Sequence, residues 1–137
     1  MTIDAGHALQ VAIPTTLAAD ATLAGLTGSG RVFDHVPQGT HYPYVTYGAS
    51  THRDWSTATE DGTEHDLTLH VWSDAAGRRE ARTILLAIRS RLHDQALALD
   101  GHRLVNLRAG HVELRREADG ETVHGLIRFR AVTEPLA

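Results

Sequence analysis

The chain has 137 residues, enough for one ordinary domain that buries its core without staples. It contains no cysteine, which excludes disulfides, thiolate metal sites and a cysteine nucleophile. A net charge of -4 argues against a protein that grips nucleic acid by its phosphates, and 42% hydrophobic with 22% charged residues is the composition of a soluble globular domain.

In chain order, residues 5 to 26 read as helical, with Leu9, Ala12, Ile13 and Leu17 at helical spacing. Pro14 must kink that helix or begin a new one, because it lacks an N–H and crowds the preceding turn. Asp20 is placed to cap a short second segment carrying Leu23 and Leu26, which Gly28-Ser29-Gly30 ends. Residues 31 to 36 read as a short strand, and residues 42 to 47, rich in tyrosine and β-branched residues, as a second. Residues 48 to 63 read as a long polar connection in which Trp55 is the exception.

Residues 65 to 73 alternate: Leu67, Leu69 and Val71 face one way, Asp66, Thr68, His70 and Trp72 the other. Ser73 or Asp74 is placed to cap a helix running to about His93. Ala81, Ile84, Leu85, Ile88 and Leu92 form its apolar stripe, and Arg78, Arg79, Arg82 and Arg89 its wet faces. From 102 to 117 the apolar parity flips around Gly110, which predicts a bulge or bend in one broken strand or a strand pair. Asp119-Gly120 marks a hairpin, and residues 121 to 133 return with Val123, Ile127, Phe129 and Ala131 on one face. The expectation is one α+β domain over residues 1–137, in the order α-β-β-β-α-β-β. Its sheet is mainly antiparallel, with two helices packed on one face.

No apolar run approaches the ~20 residues of a membrane span. Met1 to Asp4 do not open a basic-then-apolar leader, so residence in the cytoplasm, or in something assembled there, is expected. All thirteen basic residues are arginine, which the codon bias of a GC-rich genome explains more simply than selection for bidentate donors.

Chemistry-bearing patterns are few. The closest histidine pairs are His35 with His41 and His65 with His70, and the second pair points to opposite faces of its strand, so no metal site is expected. Gly28-Ser29-Gly30 is not a nucleophile elbow, and it follows a helix, whereas phosphate loops lead into one. Glu60, Asp61, Glu64 and Asp66 do not match a calcium loop; a solvated loop is the simpler reading and a partner-facing acidic patch the alternative. The arginine face of residues 78 to 89 is either a solvated helix face or a contact for an acidic partner or DNA. Trp55 either packs back on its own sheet or anchors a partner. Trp72, opposite the apolar face, implies that the second sheet face is covered as well, by another subunit or by loop 48–63.

Arg31-Val32-Phe33-Asp34-His35-Val36-Pro37-Gln38-Gly39, followed by Tyr42-Pro43-Tyr44-Val45, resembles the signature of a phage tail-completion family. The resemblance continues in Asp54-Trp55-Ser56-Thr57, in residues 65 to 73, in Gly101-His102-Arg103-Leu104-Val105, and in Asp119-Gly120-Glu121-Thr122-Val123-His124-Gly125. It ends in Arg128-Phe129-Arg130-Ala131-Val132 and covers about residues 9 to 134. The arginine-only, alanine-rich composition is similar to versions found in gene transfer agents. The resemblance implies a tail terminator: a ring, usually of six subunits, on the head-proximal end of a tail tube. Such a ring stops tube growth and docks the head connector while DNA passes through its channel without sequence-specific binding. It implies no active site, and no enzyme activity, metal or cofactor is expected. On that reading Arg53, Asp54, Trp55 and Trp72 are candidate partner or subunit contacts, and Glu60, Asp61 and Glu64 candidate acidic residues of the channel. A head-closure or adaptor component of the same particle is the alternative, and a small α+β enzyme using some of the ten histidines is the third reading.

Overall fold

A computed structural model describes residues 4–28 and 31–136. Its elements are α1 (Ala5–Ala18), α2 (Ala21–Thr27), β1 (Val32–Phe33), β2 (Tyr44–Asp54), β3 (Thr63–Ser73), α3 (Arg79–Leu92), β4 (Ala98–Leu99), β5 (His102–Arg116) and β6 (Val123–Pro135). The six strands form one sheet in the order β1-β2-β3-β6-β5-β4. β1 runs parallel to β2 and every other neighbouring pair is antiparallel, so the sheet is mixed. The order is therefore α-α-β-β-β-α-β-β-β, with one helix and one strand more than the pattern α-β-β-β-α-β-β.

Asp4 caps α1 by accepting from the His7 N–H at 2.9 Å. The helix runs through Pro14 and does not break there. Pro14 removes one N–H, but Leu9, Ile13 and Leu17, spaced by one turn, are buried along one stripe and hold the helix together. The chain turns at Ala19–Asp20 instead, where α1 and α2 meet at 76°. Asp20 caps α2 by accepting from the Leu23 N–H at 2.9 Å, as its position predicts. α2 ends at Gly28; Ser29 and Gly30 of the expected stop lie outside the described residues.

β2 is longer than its apolar residues suggest. Residues 48 to 54 are polar, yet they pair in register with β3, from Ser50↔Leu67 to Asp54↔Thr63, after a bulge between Tyr47 and Ser50. The connection of 48–63 therefore shrinks to residues 55 to 62. α3 begins at Arg79, later than a cap at Ser73 or Asp74 requires, and its N-cap Arg78 offers no side-chain bond. The Ser73 hydroxyl is engaged elsewhere: it donates to Glu80 at 2.6 Å and accepts from the Ala75 N–H at 3.1 Å.

β5 is one strand bent by two register shifts, at Leu104/Asn106 and at Ala109/Val112, the second spanning Gly110 as the parity flip predicts. The hairpin into β6 turns at Asp119-Gly120. The Asp119 carboxylate accepts from the N–H groups of Glu121 and Thr122, each at 2.8 Å, and Gly120 takes the positive φ of 73° that the turn needs.

The sheet's contribution to the core comes from one face. Val45 and Tyr47, Leu67, Leu69 and Val71, and Val123, Ile127, Phe129 and Ala131 form one buried cluster with Leu9, Ile13 and Leu17 of α1, Leu23 of α2, and Ala81, Ile84, Ile88 and Leu92 of α3. The opposite face carries Thr68, His70 and Trp72 of β3 beside Arg128, Leu126 and His124 of β6.

Candidate functional site

Two side-chain clusters occupy that second face, one toward each end of β3. At the first, the Trp72 indole N–H donates to the Thr46 hydroxyl at 3.2 Å. The indole stacks flat on His124, with ring centroids 4.0 Å apart and planes 1° from parallel. His124 lies between Glu117, 3.0 Å from its Nδ1, and His70, whose Nδ1 is 2.6 Å from its Nε2.

The partners fix the tautomers. A carboxylate only accepts, so His124 carries its proton on Nδ1 and donates to Glu117; its neutral Nε2 then accepts from the His70 Nδ1–H. Burial pushes both imidazoles below their ordinary pKa. For His70 the neighbouring His124 adds to the effect, and for His124 the Glu117 carboxylate opposes it. Both rings therefore favour the neutral form at neutral pH. His70 packs against Gly48, where a Cβ would lie 2.6 Å from its Cδ2 and 2.9 Å from the Thr68 carbonyl oxygen, so only glycine fits. An open groove of about 470 Å³ adjoins this cluster, lined by Tyr42, Tyr44, Thr46, Trp72, Glu117 and Thr122 among others.

The second cluster centres on Glu64. It is 2% exposed, held between Arg53 of β2 and Arg130 of β6, whose Nε–H donates to Oε2 at 2.6 Å. Burial opposes ionisation of Glu64, but the hydrogen bonds from Arg130 and Arg53 outweigh it and hold the carboxyl below the usual glutamate range. Both guanidiniums also approach the ring of Trp55, at 5.2 Å for Arg130 and 5.9 Å for Arg53. Trp55 remains 50% exposed. Its backbone N–H donates to the Gly62 carbonyl at 2.9 Å and closes loop 55–62. Asp54 shapes the turn into that loop by accepting from the N–H and hydroxyl of Ser56, which lowers its pKa.

The structure thus brings Arg53 and Trp55 together and adds Arg130, which sequence reasoning missed. It separates them from Trp72, which lies at the other end of β3. Loop 55–62 does not cover Trp72, which packs beside Thr46 and His124 of its own sheet and stays part-exposed. The expected acidic trio also divides. Glu60 and Asp61 are exposed on the loop, and no hydrogen bond or ion pair holds their side chains among the described residues. Glu64 is not a loop residue facing open solvent: it belongs to β3 and is buried beneath two arginines. His65 lies on the core side and meets the Thr133 hydroxyl at 2.9 Å, so it does not join His70. Among the described residues no three His, Asp or Glu side chains are grouped to hold a metal ion, and no single helix is long and apolar enough to cross a membrane.

The sequence pattern of the tail completion protein gp17 family matches residues 11–134, which include both clusters. This chain belongs to the tail completion protein gp17 family. A family relative, tail completion protein gp17 of Bacillus phage SPP1, is 28% identical over 89 residues; the match spans 65% of this chain and 66% of that protein, just under two thirds of its length. The fold is also that of a chain in the solved virion of a native gene transfer agent particle, with a TM-score of 0.89 and 34% identity over 97% of this chain and 99% of that one. The expectation of a tail-completion protein drawn from the motifs agrees with these family matches.

Proposed function

We propose that the protein forms a ring at the head-proximal end of the tail tube of a phage or gene transfer agent particle. The ring stops tube growth, joins the tail to the head connector and lets DNA pass through its channel. It assembles in the bacterial cytoplasm and acts by contact, not by catalysis. The observation that carries this reading is the near full-length likeness to a chain of a gene transfer agent virion, at 34% identity. The sheet face that carries Trp72 supports it, because part-exposed Trp72, the Tyr42–Tyr44 stack and the half-exposed Trp55 place aromatic side chains where another chain can cover them. Arg53, Asp54, Trp55 and Trp72 are assigned to these contacts, with Asp54 acting through the loop it shapes.

The test combines light-scattering mass and electron micrographs over a range of concentration with addition to growing tail tubes. A closed ring with an open channel that arrests tubes at one end is the expected result. A protein that assembles neither alone nor on tubes would refute the proposal. W55A is expected to weaken association by about 30-fold, equivalent to a ~2 kcal/mol hot spot. Unchanged capping by W55A would remove Trp55 from the contact.

A further inference from the structure

The outer face of α3 is built at a disadvantage to the lone subunit. Arg79, Arg82, Leu86 and Arg89 follow one another at spacings of three, four and three residues, so they form a single stripe. Arg78, Arg79, Arg82 and Arg89 have no carboxylate within ion-pair distance among the described residues; Arg91 alone on this helix has one, Asp20 at 3.6 Å. Like charges one turn apart repel, and Arg78 and Arg79 at the helix N-terminus oppose the helix dipole, while Glu80 in the same turn and Arg89 in the last turn suit it. Leu86 sits in the middle of the stripe at 60% exposure. Between α2 and α3 it borders an open groove of about 430 Å³ whose lining includes Leu26, Thr83, Ala87 and Ser90.

A phosphate backbone would satisfy the arginines and leave Leu86 without a counterpart. An acidic protein segment carrying an apolar side chain satisfies both. This chain has one. Loop 55–62 carries Glu60 and Asp61 without partners and begins with the half-exposed Trp55. The loop and the stripe do not pair within one subunit, so they can meet only between copies, as a head-to-tail contact of the kind that closes rings.

We infer that the β2–β3 loop of one copy docks on the outer face of α3 of the next, with Trp55 against Leu86 and Glu60 and Asp61 against Arg82 and Arg89. This rests on the ring reading and deepens it. It moves Glu60 and Asp61 from the channel wall to the seam between subunits. Apolar contact at the centre with charge pairs around it is the arrangement of a protein interface, and the unlike charges select loop-to-helix pairing over other encounters.

The absence of cysteine makes the test direct. Ala58→Cys and Leu86→Cys, placed in one chain, are expected to give disulfide-linked oligomers on mild oxidation, whereas either alone gives at most dimers. R82E/R89E and E60R/D61R are each expected to weaken self-association, or retention on tube ends, by about tenfold or more. The four substitutions together restore it, which a folding defect would not do. Rings that persist in both charge-reversed variants, with no cross-link between positions 58 and 86, would overturn this interface and leave the ring reading standing. Absence of any assembly, alone or on tubes, would overturn both. Loss of duplex DNA binding in R82E/R89E with assembly unchanged would overturn the inference in favour of a phosphate-facing helix.

Discussion

Gly48→Ala tests the packing of the sheet face that carries His70 and Trp72. The new methyl would lie 2.9 Å from the Thr68 carbonyl oxygen and 2.6 Å from His70 Cδ2, against about 3.4 Å for ordinary contact. The carbonyl belongs to the strand ladder and cannot retreat freely. The imidazole can swing, but only by giving up its 2.6 Å hydrogen bond to His124. Overpacking of this kind costs about 1–3 kcal/mol, and the lost hydrogen bond adds about 1 kcal/mol, for a total of about 2–4 kcal/mol. For a domain of this size that lowers Tm by roughly 6–15 °C. Calorimetry measures the shift, and long-range nitrogen–proton NMR of the imidazoles reports whether His70 still bonds His124. Gly48→Ala/His70→Ala is expected to recover part of the loss, since it relieves the ring contact but not the carbonyl one. A Gly48→Ala protein with Tm within about 2 °C of the parent and an intact imidazole pair would refute the argument that only glycine fits.

Pro14→Ala is expected to stabilise the protein by about 1–3 kcal/mol in urea denaturation, because it restores an N–H to an unbroken helix; a destabilised variant would mean that α1 depends on the proline ring. Asp20→Ala removes the α2 cap and should cost about 1 kcal/mol by the same measurement, with no change in stability counting against the capping role. Ile88→Ala, at a fully buried position of α3, should cost about 2–5 kcal/mol, and a loss under about 1 kcal/mol would show a core that closes over the cavity. His65, His70 and His124 are all held below the ordinary 6.5, chiefly by burial. The unfolded chain therefore binds protons first, so their contribution to stability is complete above pH 6.5 and is lost as the pH falls from there toward the folded values. Urea midpoints between about pH 7 and about pH 5 should fall accordingly, and a flat profile would contradict the burial of these rings.

What could be read from the sequence was local. The alternation through Leu67, Leu69 and Val71 puts Trp72 on the opposite face, the parity flip locates the bulge at Gly110, and Asp20 and Asp119-Gly120 mark a cap and a turn by their own short-range hydrogen bonds. Residues 48 to 54 escaped because their strand state comes from backbone pairing with β3, not from any apolar alternation of their own. Ser73 misled because a serine before a helix reads as a cap until Glu80 is seen to take its hydroxyl. The clusters were hidden for the same reason as the sheet order. Glu64 meets Arg130 across 66 residues and His70 meets His124 across 54, and both meetings follow from β3 lying beside β6. No spacing along the chain reports that adjacency, so Glu64 looked like one more acid of a polar loop.

The two-residue strands β1 and β4 leave most of the outer rims of β2 and β5 uncovered. Those rims are poor templates for a further strand. β2 is interrupted by its bulge and ends in Arg53 and Asp54; β5 is interrupted twice and carries Arg103, Arg108, Arg115 and Arg116. Kinked, charged margins resist the edge-to-edge stacking that turns concentrated β-rich chains into fibres. Each sheet therefore stays finite even where chains are concentrated, because its rims offer no unbroken run of backbone along which a further sheet could extend.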